Sequence, residues 1–145
     1  MSLFSSLSVS ASGLQAQRTR AELLVENLAN AETTRTPEGG PYRRKDTVFS
    51  AEPVASPFGS VFENEIGAQG TGVRVSDVIE DTSAPEKRYL PGHPDADAQG
   101  YVAFPHINPA EDMVDLMSAT RSYEANVAAI TAVKDMISHS IDLLR

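Results

Sequence analysis

Asp95, Asp97, Gln99 and Gly100 stand at the spacing of the first, third, fifth and sixth positions of a calcium-binding loop. In such a loop carboxylate and amide oxygens converge on a hard cation and the glycine makes the sharp turn. The pattern then fails, because the bidentate glutamate of the twelfth position is replaced by His106, and Pro91 and Pro94 occupy the place of the entering helix. A local role fits the same residues better. Asp95 and Asp97 are expected to accept hydrogen bonds from their own backbone in consecutive turns, with Gly100 supplying a positive φ ahead of a strand that starts at Tyr101. No metal site is assigned.

His93 and His106 flank this run, and a histidine pair beside Ser83 has the residue types of an acyl-transfer site. Two imidazoles without a third ligand or an orienting partner do not define one. Their proline neighbours argue for loop and packing roles. His139 lies between Ser138 and Ser140 in a helical pattern and reads as a solvated position. The sequence contains no phosphate-binding glycine loop, dinucleotide fingerprint, zinc-protease motif or nucleophile elbow. It has no cysteine, so disulfide, thiolate-metal and thiol-nucleophile chemistry are all excluded. The reading is therefore of a non-enzyme with no catalytic residues, no cofactor and no metal.

Charge restricts the partners. Acidic residues number 20 against 12 basic ones, and the excess is spread along the chain. The only run of like charge is Arg43-Arg44-Lys45, too short to track a phosphate backbone, so no nucleic-acid binding is expected. No stretch approaches the roughly 20 apolar residues of a membrane span, so no direct membrane insertion is expected. The start, Met-Ser-Leu-Phe-Ser-Ser-Leu, lacks the charge, apolar block and cleavage site of a secretory signal, and any export is expected to use a signal that is not removed.

The positioning elements follow from where helix breakers are allowed. All nine prolines lie from Pro37 to Pro109, and eight of nine glycines from Gly39 to Gly100. Proline inside a helix costs about 3 kcal/mol and glycine about 1 relative to alanine. The ends are thus written to stay helical and the middle is not. The expected fold class is α+β, divided into an N-terminal helix in 1–34, a β-rich and loop-rich region in 35–108, and a C-terminal helix in 109–145. Asn108-Pro109-Ala110-Glu111 starts the second helix with a capping side chain, a proline at the first position and an acid near the positive end. Arg43–Ser50, Gly72–Ile79 and Tyr101–Phe104 read as strands, and Ala51–Thr71 as a long loop or loosely held hairpin. Gly13 permits either a close helix approach or a break after a frayed first turn.

Both helical ends carry a 3-4 apolar seam. The first runs Leu3, Leu7, Ser10, Leu14, Gln17, Ala21, Leu24, Leu28; the second runs Met113, Leu116, Thr120, Tyr123, Val127, Ile130, Lys134, Ile137, Ile141, Leu144. An antiparallel hairpin within one monomer explains these stripes. Packing between subunits explains them equally and also accounts for Thr120, Asn126 and Lys134 on or beside the seam, since polar residues there set register at a cost in stability. A soluble adaptor module that binds a helical partner through its C-terminal seam is the competing class.

Leu28-Ala29-Asn30-Ala31-Glu32-Thr33-Thr34, followed by Gly39-Gly40-Pro41-Tyr42-Arg43-Arg44-Lys45, resembles the segment after the first helix of bacterial flagellar rod and hook proteins. Pro91-Gly92-His93-Pro94-Asp95-Ala96-Asp97 with Gly100-Tyr101-Val102 resembles the proximal-rod members. So do Glu111-Asp112-Met113-Val114-Asp115-Leu116-Met117 and Arg121-Ser122-Tyr123-Glu124-Ala125-Asn126-Val127. The resemblance implies a structural subunit of the basal body, exported by the flagellar type III apparatus and built into the rod that crosses the periplasm as a helical, torque-transmitting tube. Its implied partners are copies of itself, other proximal and distal rod proteins, the hook-basal-body adaptor at the rod base and the export apparatus. It implies that Leu7, Leu14, Leu24 and Leu28 bury against Tyr123, Val127, Ile130, Ile137 and Ile141 of the same or a neighbouring chain, with Leu116 and Leu144 on the same seam. Asn27 and Asn30 would end the first helix by bonding the following turn, and Tyr123 and Asn126 would tie the second to adjacent chains. The stretch Thr33–Tyr42 is longer than the Asn-Thr-Pro-Gly-Tyr common in the family.

Overall fold

The computed structural model describes residues 3–53 and 71–143, with Phe4 by its backbone alone. Helix α1, Leu3–Ala29, is unbroken through Gly13. A Cβ at Gly13 would meet the Asn126 amide at 3.1 Å, so the glycine serves close approach of a second helix. After α1 the chain makes a turn in which Asn30 N–H donates to the carbonyls of Glu26 and Asn27. Residues 33–42 then close on themselves: Tyr42 N–H reaches the Thr33 carbonyl at 3.1 Å, and Thr36 N–H reaches that of Gly40 at 2.9 Å. Gly39 and Gly40 turn this loop at φ 92 and 83, values that a side chain would strain.

Strands β1, Lys45–Pro53, and β2, Thr71–Glu80, form an antiparallel pair from Lys45 opposite Glu80 to Pro53 opposite Thr71. The register shifts between Val48 and Phe49, which leaves Ser76 as the extra residue of a bulge. Of the expected loop or loosely held hairpin Ala51–Thr71, residues 51–53 and Thr71 belong to these strands, and residues 54–70 lie outside the described residues, as does Leu144. A second pair joins β3, Glu86–Tyr89, to β4, Tyr101–Phe104. β3 is exposed along its length and three of its four residues are charged, so no alternation marks it; it is a strand because β4 supplies its partner.

Helix α2, Pro109–Asp142, begins as the sequence requires. Asn108 is extended at φ −102, ψ 102, and its side chain accepts from Ala110 N–H at 3.2 Å. No described helix is long and apolar enough to cross a membrane. The architecture is α+β: two long helices, at the two ends of the chain, pack together, and α1 also packs on the β1–β2 hairpin. Helix α1 reaches the hairpin at two edge positions, Ser12 accepting from Val73 N–H at 3.1 Å and Asn27 bonding Lys45. Among the described residues the buried apolar side chains are few: Ala16, Leu24, Tyr42, Val102, Phe104, Ala119 and Val133.

Candidate functional site

Two features stand out: the helix faces, and the junction where α1, the approach to β1 and the start of α2 meet. On α2, the buried residues are Asp112, Ala119 and Val133, and Leu116, Ser122, Asn126, Ile130 and Ile137 are half-buried. These form one 3-4 stripe, and Gly13 and Ala16 of α1 give it room. Small side chains let the helices approach closely but bury little apolar area. The larger apolar side chains Met113, Val114, Met117, Tyr123, Val127, Met136 and Ile141 are exposed, Val114 at 60% and Ile141 at 61%.

The α2 seam read from sequence therefore divides. Leu116, Asn126, Ile130 and Ile137 lie on the stripe toward α1, while Tyr123, Val127 and Ile141 are exposed. There is a one-residue offset: Ala119, Ser122, Asn126 and Val133 sit beside Thr120, Tyr123, Val127 and Lys134, and at 123 and 127 a rule that favours apolar bulk selects the outer neighbours. On α1, Leu24 is buried and Leu7, Leu14 and Leu28 are half-buried. Arg121 is exposed, and the Ser122 hydroxyl donates to the Ser118 carbonyl at 3.0 Å.

At the junction Asn27 is fully buried. Its Oδ1 accepts from the Tyr42 hydroxyl at 3.0 Å and from Lys45 N–H at 2.9 Å, while its Nδ2 donates to the Lys45 carbonyl at 2.9 Å. One amide thus satisfies both backbone groups of Lys45 on the edge of β1 and acts as a short piece of neighbouring strand. The Asn27 side chain does not bond the turn that follows its own helix. Asn30 does, accepting from the Thr33 hydroxyl at 3.1 Å, and no described residue other than glycine has a positive φ. Burial, then the charge of Glu26, pushes the Tyr42 phenol well above its ordinary value. Lys45 Nζ is 2.7 Å from Glu26 Oε1, which raises its pKa, and lies 5.6 Å from the Tyr42 ring centre.

Arg43 is exposed, whereas Arg44 turns toward α2. Its Nη2 lies 3.1 Å from Asp112 Oδ1, 3.6 Å from Asp46 and 4.0 Å from Asp115, and Arg20 of α1 reaches Asp115 at 3.3 Å. The Asp112 contact has ion-pair distance without hydrogen-bond alignment: neither Asp112 oxygen, nor Arg44 Nε, has a hydrogen-bond partner.

The run around Asp95 is structural. Asp97 Oδ1 accepts from Gln99 N–H at 2.8 Å and Tyr101 N–H at 2.9 Å, and these bonds hold its carboxyl below the ordinary range. Gly100 has φ 84 and packs against Tyr89, whose ring meets that of Tyr101 edge-on at 5.4 Å. Asp95 departs from expectation: it accepts from the Thr34 hydroxyl at 2.8 Å and so ties this turn to the chain leaving α1. His93 Nδ1 accepts from Asp95 N–H at 3.1 Å, its ring lies 6.4 Å from that of Phe104, and Pro94 is exposed. His106 is exposed, 3.9 Å from Asp81. Among the described residues no group of three or more histidine or acidic side chains is placed to hold a metal.

The model for the C-terminal region of the flagellar basal-body rod FlgEFG proteins matches residues 98–143. Over its full length the chain is 41% identical to the flagellar basal-body rod protein FlgC of Borreliella burgdorferi, covering 99% of that protein. It is 44% identical to the Bacillus subtilis FlgC protein over 99% of both chains, and 42% identical to an Escherichia coli one over 99% of this chain and 98% of that.

Proposed function

The chain belongs to the FlgC family of flagellar basal-body rod proteins, and from that premise we propose that it forms the proximal rod by packing its two terminal helices against those of neighbouring subunits. It is a structural subunit of the basal body and not an enzyme. The observation that carries the packing proposal is the division of α2 into a thin inner stripe and an exposed outer face bearing Met113, Val114, Met117, Val127 and Ile141. A monomer gains nothing by exposing such a stripe, whereas a tube of repeated subunits buries it at every contact.

In this reading residues 1–34 and 109–145 form the helical wall, coiled against their neighbours, and 35–108 form the outward region. Leu7, Leu14, Leu24, Leu28, Leu116, Ile130 and Ile137 hold the two helices of one subunit. Tyr123, Val127 and Ile141 face adjacent ones. Asn126 sets the close approach to Gly13. Each contact is heterologous, so repetition gives an open helical array of this chain with proximal and distal rod proteins, seated on an adaptor at the rod base. The subunit reaches that place through the flagellar type III export apparatus, and the assembled tube transmits torque across the periplasm.

Deleting the gene in the source bacterium and imaging isolated basal bodies tests the assignment. Membrane rings without a rod, restored by the intact gene, are expected. Complete rods in the deletion strain would overturn it.

A further inference from the structure

Arg44 is approached by more negative charge than it can neutralise. Asp112, Asp46 and Asp115 all lie within 4.0 Å of its Nη2, and Arg20 is the second cation of the group. Two guanidinium groups thus meet three carboxylates, with Glu111 beside them on α2 and Asp81 near Arg44. Tyr42 faces the same junction and adds no charge. The carboxylates differ in their access to water. Asp46 and Asp115 line an open cleft of about 260 Å³ with Arg20, Lys45 and Phe49, whereas Asp112 is 1% exposed and lies off that cleft.

An ionised carboxylate is an acceptor only, and a buried one is stable when donors surround it. Asp112 has one guanidinium nitrogen at ion-pair distance, no hydrogen bond on either oxygen, and the negative charges of Asp46, Asp115 and Glu111 acting on it. The positive end of α2 favours the anion but acts only over the first turn. A proton would remove the surplus charge and supply a donor to a group made mostly of acceptors. Arg44 would keep Asp46 and Asp115 as partners.

We propose that Asp112 is a proton-linked latch, in which the first turn of α2 closes on the approach to β1 with this carboxyl neutral. Burial first, and then the charges of Asp46, Asp115 and Glu111, push its pKa up, with Arg44 opposing. The folded form then holds more protons than the unfolded chain above the ordinary carboxylate range. The contribution of Asp112 to stability is fully present below that range and is lost as pH rises through the raised value. This is opposite in sign to the usual acid unfolding: acid tightens the latch.

The test is a carbon-detected NMR titration of the full chain from about pH 3 to 8, with urea unfolding of the wild type and Asp112→Asn across the same range. The Asp112 signal is expected to titrate above the ordinary carboxylate range. Asp112→Asn is expected to unfold at a urea midpoint at or above that of the wild type at neutral pH, and to lose the decline that the wild type shows as pH rises. Titration within or below the ordinary range, or a variant that is less stable with an unchanged pH profile, overturns the proposal. Should Asp112→Asn not fold, Asp46→Asn supplies the second test: the Asp112 titration shifts down, and an unmoved signal overturns the proposal.

Discussion

Replacing Asn27 by alanine tests whether one buried amide joins the helical part to the β region. The substitution removes three hydrogen bonds at once, from Tyr42 Oη, Lys45 N–H and the Lys45 carbonyl. Tyr42 is buried, so its hydroxyl is left unpaired at a cost of about 1–2 kcal/mol; Lys45 is half-buried and water recovers part of its loss, leaving about 1 kcal/mol for each backbone group. The sum is about 3–4 kcal/mol, or a fall in Tm of about 10–15 °C for a chain of this size. Tyr42→Phe removes only the first bond, keeps the ring packed and should cost about 1 kcal/mol. Urea unfolding of the full chain followed by circular dichroism gives both values, and the double variant gives the coupling. Hydrogen exchange at the Lys45 amide supplies the local readout, because it should lose protection in Asn27→Ala and keep it in Tyr42→Phe. Asn27→Ala within about 0.5 kcal/mol of the wild type, or Tyr42→Phe as damaging as Asn27→Ala, would refute the reasoning.

Gly100→Ala should cost about 1–2 kcal/mol from its left-handed backbone alone, and more because the added Cβ would lie 2.9 Å from Tyr89 Cε2; thermal unfolding measures it. Ile130→Asp places an unpaired carboxylate between the helices and should lower monomer stability by several kcal/mol while abolishing incorporation into rods. Val114→Asp, on the outer face, should leave unfolding within about 0.5 kcal/mol of the wild type and still abolish incorporation. Asp97, held low by Tyr101 and Gln99 amides, stabilises above the ordinary carboxylate range and loses that effect as pH falls through its lowered value; its NMR titration should lie below the ordinary range.

Helix breakers made the architecture legible. Proline and glycine act through backbone geometry, so their confinement to the middle located both helices, and the Asn108-Pro109 start of α2 followed from capping alone. The strand expected over Gly72–Ile79 lies within β2, although its pairing with β1 was not foreseen, and Gly100 has the positive φ expected of it. Long-range partners were not legible. Nothing local distinguishes an Asn27 that caps its own helix from one that reaches Lys45, or an Asp95 that turns on itself from one that holds Thr34. β3 escaped because its four residues carry no period and take their conformation from β4. Part of the inner stripe of α2 escaped because close packing selects small residues: Ser122 is less apolar than its exposed neighbour Tyr123, and Ala119 is smaller than Thr120.

In the proposed packing, neighbouring subunits of the rod cover the outer face of α2. The chain has no cysteine, so a single Val127→Cys variant reports one site of this chain, read on its own band after separation of the basal-body proteins. Maleimide labelling of that variant, as purified chain and within isolated basal bodies, measures that cover directly. Rapid labelling is expected of the free chain, in which Val127 is exposed, with protection in the assembled rod. Equal labelling in both states would contradict the proposed packing.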